Sequence, residues 1–96
     1  MSLSHRDHSW VPYISWIEMP EGILDKLRTK HNVAEYEVRE AFQNTREVQA
    51  VVETDEDDNE RIVIKGCTYK GRRLIGILYP MDDQGGWRIA TCMDTD

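Results

Sequence analysis

Seven side chains in this sequence have the chemistry to hold a phosphate, move a proton beside one or stack on a base: His31, Arg61, Lys65, Arg72, Arg73, Tyr79 and Arg88. Arginine meets phosphate oxygens through two parallel N–H donors, and lysine meets them as a point charge. His31 is the only histidine inside the expected domain, and the ordinary imidazole pKa near ~6.5 suits a general acid or base. Arg61 and Lys65 fall on one face of a strand by the two-residue period, and Arg88 joins them if its strand pairs nearby. Tyr69 and Tyr79 offer rings on which a base can stack. Each of these residues also has a plainer reading. The cations fit the solvated face of a sheet, His31 fits the apolar stripe of a helix beside Leu27, and Tyr79 fits the rim of a core.

The elements that must position these groups follow from the pattern. VPYISWIEM (Val11–Met19) is rich in β-branched and aromatic residues and reads as an edge strand. Pro20 opens a helix, where its missing N–H costs nothing, and Glu21 sits at the positive end of the helix dipole. Ile23, Leu24, Leu27 and His31 form its apolar stripe, and Asn32 can take the left-handed conformation that stops it. Ala34, Val38, Ala41 and Phe42 stripe a second helix after a link of two or three residues, with Glu35 and Arg39 as a supporting pair. Four strands follow: Arg46–Thr54, Arg61–Tyr69, Arg72–Pro80 and Trp87–Asp94. Lys70-Gly71 marks a tight turn between two of them. The third of these four is apolar on both faces and reads as the central strand, and Gly76 within it predicts the close approach of another element. In the last strand, Trp87, Ile89 and Thr91 alternate against Arg88, Ala90 and Cys92. The expected fold is α+β, in the order β-α-α-β-β-β-β, with two N-terminal helices packed on one face of an antiparallel sheet of four to five strands.

Composition bounds the function. A chain of 96 residues holds one domain, read here as residues 10–96 after a disordered leader or expression scar at 1–9. The net charge of −6 argues against nonspecific nucleic-acid binding, which depends on neutralising phosphates. The charge is uneven, however. Six carboxylates crowd into ETDEDDNE (Glu53–Glu60), and no acid follows from Arg61 until Asp82. The part of this run from Thr54 to Glu60 reads as a solvated hairpin loop, and the segment after it as locally basic. No segment could span a bilayer, no secretory signal is evident, and Cys67 and Cys92 read as reduced core thiols, so the expected location is cytoplasmic. No Cys/His spacing fits zinc, and no metal or cofactor is expected.

Several segments together resemble one family. Lys30-His31-Asn32-Val33 resembles the K-H-G-V/I corner of BrnT-type toxins, the ribonuclease partners in bacterial toxin–antitoxin pairs with a RelE/ParE-like fold. Glu60-Arg61 before Ile62-Val63-Ile64-Lys65-Gly66 is similar to that family's E-R-hydrophobic-Gly strand. Gly71-Arg72-Arg73-Leu74 followed by Tyr79 resembles G-R-x-L…Y, and Trp87-Arg88-Ile89-Ala90 resembles the final strand. The likeness runs from about Tyr13 to Asp94. It implies metal-independent RNA cleavage, with His31, Arg61, Lys65 and Arg88 as the catalytic group and Arg72, Arg73 and Tyr79 holding substrate. It also implies RNA and a cognate antitoxin as partners; apart from the resemblance, a third reading is a small oligomeric protein, such as a homodimer, that uses its sheet edge only for self-association. Where the family continues the last strand as S-A-R, this chain reads Ala90-Thr91-Cys92-Met93-Asp94. That departure fits the alternative, a non-catalytic binding module on the same fold.

Overall fold

Pro20 and Asn32 bound the first helix, as the sequence predicts. The computed structural model describes residues 13–43 and 48–95. Strand β1 spans Trp16–Glu18, and helix α1 spans Glu21–His31. Asn32 stops α1 in the left-handed region (φ 54°), and Val33 N–H donates to the Leu27 carbonyl at 2.9 Å.

The second helix departs from its expected form. α2 is a single turn, Glu35–Val38, and continues as a π-turn over Arg39–Gln43. Ala41 and Phe42, both on the stripe the sequence predicts, bury against the sheet from this wider turn. The sheet makes room for them with glycines. A Cβ at Gly66 would collide with the Ala41 carbonyl, and one at Gly76 would lie 2.9 Å from the Phe42 ring. Gly76 therefore marks the close approach that the sequence predicts.

Strands β2 (Gln49–Thr54), β3 (Glu60–Cys67), β4 (Arg73–Pro80) and β5 (Gly86–Asp94) form an antiparallel meander. Their bounds are shorter than expected for β2 and β3, and Arg46 and Glu47 lie outside the described residues, as do Val11 and Pro12. The sheet order is β1-β5-β4-β3-β2, which places β4 at the centre and β1 at an edge. The sheet is mixed, not wholly antiparallel, because β1 runs parallel to β5. The helices carry the chain from β1 across to β2, and the meander then returns strand by strand until β5 closes onto β1. A contact so distant in sequence leaves no local pattern.

One face of the sheet carries the core. Ile17, Ala50, Ile62, Ile64, Leu74, Leu78, Ile89 and Cys92 point toward the helices and join Leu27, Val33, Val38, Ala41 and Phe42. The expected alternation along β5 holds only up to Ile89. A register shift between Ile77 and Leu78 leaves Ala90 unpaired, so Cys92 is buried with Ile89, and Thr91 faces the other way beside Ile77. Burial in this apolar core pushes the Cys92 thiol up to about 12. Cys67 and Cys92 are both free thiols.

Candidate functional site

The second face of the sheet lies opposite the helices, and the cross-strand register sorts its side chains into rows. The first row crosses all five strands as Glu53, Arg61, Tyr79, Arg88 and Glu18. Arg61 Nε donates to Glu53 at 2.6 Å, and its NH1 donates to the Tyr79 hydroxyl at 3.1 Å. That hydroxyl in turn donates to Asp55 at 2.9 Å. Arg88 Nε donates to Glu18 at 2.6 Å. These bonds have consistent electrostatic effects. The bonds with Tyr79 and then Glu53 raise the Arg61 guanidinium above its ordinary value. Asp55 is held below the carboxylate range, first by the Asn59 backbone N–H and then by the Tyr79 hydroxyl.

The next row is mostly apolar, Val51, Val63, Ile77 and Thr91, and the one after it is mixed, Gln49, Lys65, Ile75 and Met93. Val51, Val63, Ile75 and Ile77 are half-buried, and Met93 is exposed. Cys67 and Arg73 close the face at its far end. Lys65 and Arg73 are exposed and form no ion pair among the described residues, unlike Arg61 and Arg88.

Arg72 stands apart on the helix side. All five of its N–H groups are engaged. Nε and NH2 hold the two oxygens of Asp94 at 2.6 and 3.0 Å, and NH1 holds Glu37 at 2.8 Å. NH1 also bonds the Asn32 carbonyl at 2.8 Å, and NH2 the His31 carbonyl at 3.2 Å. Arg72 therefore caps the C-terminal end of α1 and ties it to α2 and β5. Paired carboxylates raise its guanidinium above the ordinary value, Asp94 first, and Arg72 lowers Asp94 in return. No donor remains for a phosphate.

The sequence-predicted residues thus divide by face. Arg61, Lys65, Arg73, Tyr79 and Arg88 share the open face. Arg72 lies with α1, as does His31, whose charge also acts to lower Asp94. His31 and the Arg61 row lie on opposite sides of the sheet. The residues missed were the carboxylates of the row: Glu53 and Glu18, which hold Arg61 and Arg88, and Asp55, which accepts from the Tyr79 hydroxyl. Glu53 opposite Arg61 is readable from the hairpin register around the acidic loop. Glu18 is not, because it reaches Arg88 through the parallel β1–β5 pair.

The fold defines the class, an α+β domain with helices on one face of a mixed sheet and side chains bare on the other. Comparison with family models, with curated proteins and with solved structures finds no match for this chain. Among the described residues no helix is long and apolar enough to cross a membrane.

Proposed function

We propose that this chain is a non-catalytic binding module that holds a protein partner on the open face of its sheet. The observation that carries this reading is the state of the arginines there. Arg61 and Arg88 are each held by a carboxylate, Glu53 and Glu18, and Asp55 adds a further negative charge to the same row. A phosphate would have to displace those carboxylates and enter a row that carries no surplus positive charge. The mostly apolar row beside it, Val51–Val63–Ile77–Thr91, with Lys65 and Arg73 beyond it, matches the apolar centre and charged rim of a protein interface. The module would belong to a toxin–antitoxin-like pair in the cytoplasm, with the product of a neighbouring reading frame as the expected partner. Co-expression of the two tests this. The complex should form with the wild type and be lost with Ile77→Asp, which puts a charge at the middle of the face. A complex indifferent to Ile77→Asp contradicts the reading.

A second reading is the BrnT-like toxin itself, cutting RNA without a metal and covered by its antitoxin. It is favoured by one observation: Arg61, Tyr79 and Arg88 lie in adjacent register on one face, with the Tyr79 hydroxyl shared between Arg61 and Asp55. Substrate phosphate would then replace Glu53 and Glu18, with Lys65 and Arg73 holding the flanking backbone. Growth arrest on induction that Arg61→Ala abolishes would support this second reading over the first.

A further inference from the structure

The two edges of the sheet are finished differently. At the β1 edge the outward carbonyls are taken by the π-turn. Arg39 NH1 donates to Ile17 O and Gln43 Nε2 donates to Ser15 O, both at 3.2 Å, while the Arg39 guanidinium lies 4.1 Å over the Trp16 ring. The β2 edge has no such cover among the described residues. Its hydrogen-bond phase is readable from the hairpin end, where Asp55 N–H donates to Asn59 O at 2.9 Å. In an antiparallel ladder the bonded pairs alternate, so Gln49, Val51 and Glu53 spend their backbone groups on β3. Ala50, Val52 and Thr54 therefore direct N–H and C=O outward.

We propose that β2 is a self-association edge, pairing antiparallel with β2 of a second copy about a two-fold axis at Val51. The outward phase allows only registers that set even-numbered residues opposite one another. With Val51 as the pivot, Ala50 pairs with Val52 of the second copy, and Thr54 with its Val48. Both pairs lie on the helix-facing side and are apolar or small, and Val52 is otherwise 41% exposed. Val51 meets its own copy in the closer, non-hydrogen-bonded kind of pair, which favours β-branched side chains. Gln49 meets Glu53 of the second copy, amide to carboxylate. A pivot at Val52 instead sets Val51 against Glu53 twice, which is unfavourable. Moving the pivot to Val51 also keeps the two acidic loops apart. Asp55 is four residues from the pivot, so at ~3.3 Å per residue the loops begin about 26 Å from each other. That exceeds the screening length of ~8 Å at physiological salt.

The pairing fuses the two five-stranded sheets into one and extends the row Thr91–Ile77–Val63–Val51 straight into its copy. The β1 edge is occupied by Arg39 and Gln43, so the contact closes as a dimer and does not propagate into fibres. Six residues a side make a small interface beside the ~20–30 of a standard one, so the dimer depends on concentration.

Sedimentation equilibrium of the full chain over a wide concentration range tests this, with circular dichroism checking that each variant folds. A monomer–dimer equilibrium with no larger species is expected. Val51→Lys should weaken it more than about tenfold, because like charges then meet at the pivot. Val51→Cys should give a covalent dimer under mild oxidation, and Val52→Cys should stay at the background set by the wild type, since a pivot pair has the separation a disulfide needs. A monomer at every concentration, a dimer unchanged by Val51→Lys, or equal crosslinking of the two cysteine variants would overturn the proposal. Pairing of β2 only with a strand of another protein would overturn it too.

Discussion

The two faces of the sheet treat their arginines in opposite ways. On the helix side, Arg72 has every donor engaged, its side chain and that of Glu37 are mostly buried, and two backbone carbonyls complete the shell. On the open side, Arg61 and Arg88 each have a single carboxylate, and Lys65 and Arg73 have no ion pair among the described residues. Arg72 holds elements together and could not leave without unmaking them. The Arg88 pair, the more exposed one, can exchange partners at low cost, since exposed pairs contribute only ~0–1 kcal/mol. Arg61 is covered about as well as Arg72 but has fewer partners, Glu53 and the Tyr79 hydroxyl. Structure and the proposed binding are thus separated onto two sides of one sheet. Arg72 and Arg73, adjacent in sequence, stand on either side of the division.

The largest expected effect tests the helix side. Arg72→Ala removes the α1 cap and leaves Glu37 and two carbonyls short of a partner, which should cost about 2–4 kcal/mol in urea unfolding. Arg61→Ala, a like-for-like deletion on the open face, removes bonds to only Glu53 and Tyr79 and should lower the urea midpoint less than Arg72→Ala does. Equal costs would erase the distinction between the faces.

Glycine substitution sharpens the same contrast through packing. Gly76→Ala drives a methyl group against the Phe42 ring and within 3.2 Å of the Thr91 carbonyl, and should cost about 1–3 kcal/mol. Gly71→Ala meets no atom within 4 Å, but its φ of +89° strains any other residue, so about 1 kcal/mol is expected there. A thermal shift for Gly76→Ala no larger than that for Gly71→Ala would show that the π-turn does not press on the sheet as described.

The smallest effect is in acid. Arg72 holds Asp94 below its unfolded value, so between the two values the unfolded chain binds the extra proton and stability rises with pH. That contribution is complete above the unfolded carboxylate value near ~3.9 and is lost as pH falls through the lower folded value. Asp94→Asn should flatten the stability profile below about pH 4. A profile for Asp94→Asn identical to that of the wild type would contradict the assignment.

Much of this was legible in the sequence, and the exceptions have physical causes. The Pro20 start, the Asn32 stop, the central β4 and the shared face of Arg61 and Lys65 are local or periodic features. A twofold or 3.6-fold period encodes them directly. The place of His31 was half legible: its spacing from Leu27 put it on the helical stripe, but not on the side of the sheet away from Arg61. The engagement of Arg72 was invisible, because Glu37 and Asp94 are remote in sequence and reach it only through packing. The π-turn, the Ala90 irregularity and the parallel β1 depend on tertiary fit, which no periodicity records. The carboxylates in the Arg61 row were misread for a related reason. Glu53 read as a polar end of its strand, and its pairing with Arg61 emerges only from the β2–β3 register.

The central claim is that the open face binds without cutting RNA. The most direct measurement is incubation of the purified chain with a mixed RNA substrate in the presence of a chelator, with no partner added. The account predicts intact RNA, whether Arg61 is native or alanine. RNA cleavage by the wild type that Arg61→Ala abolishes would contradict it and establish the toxin reading in its place.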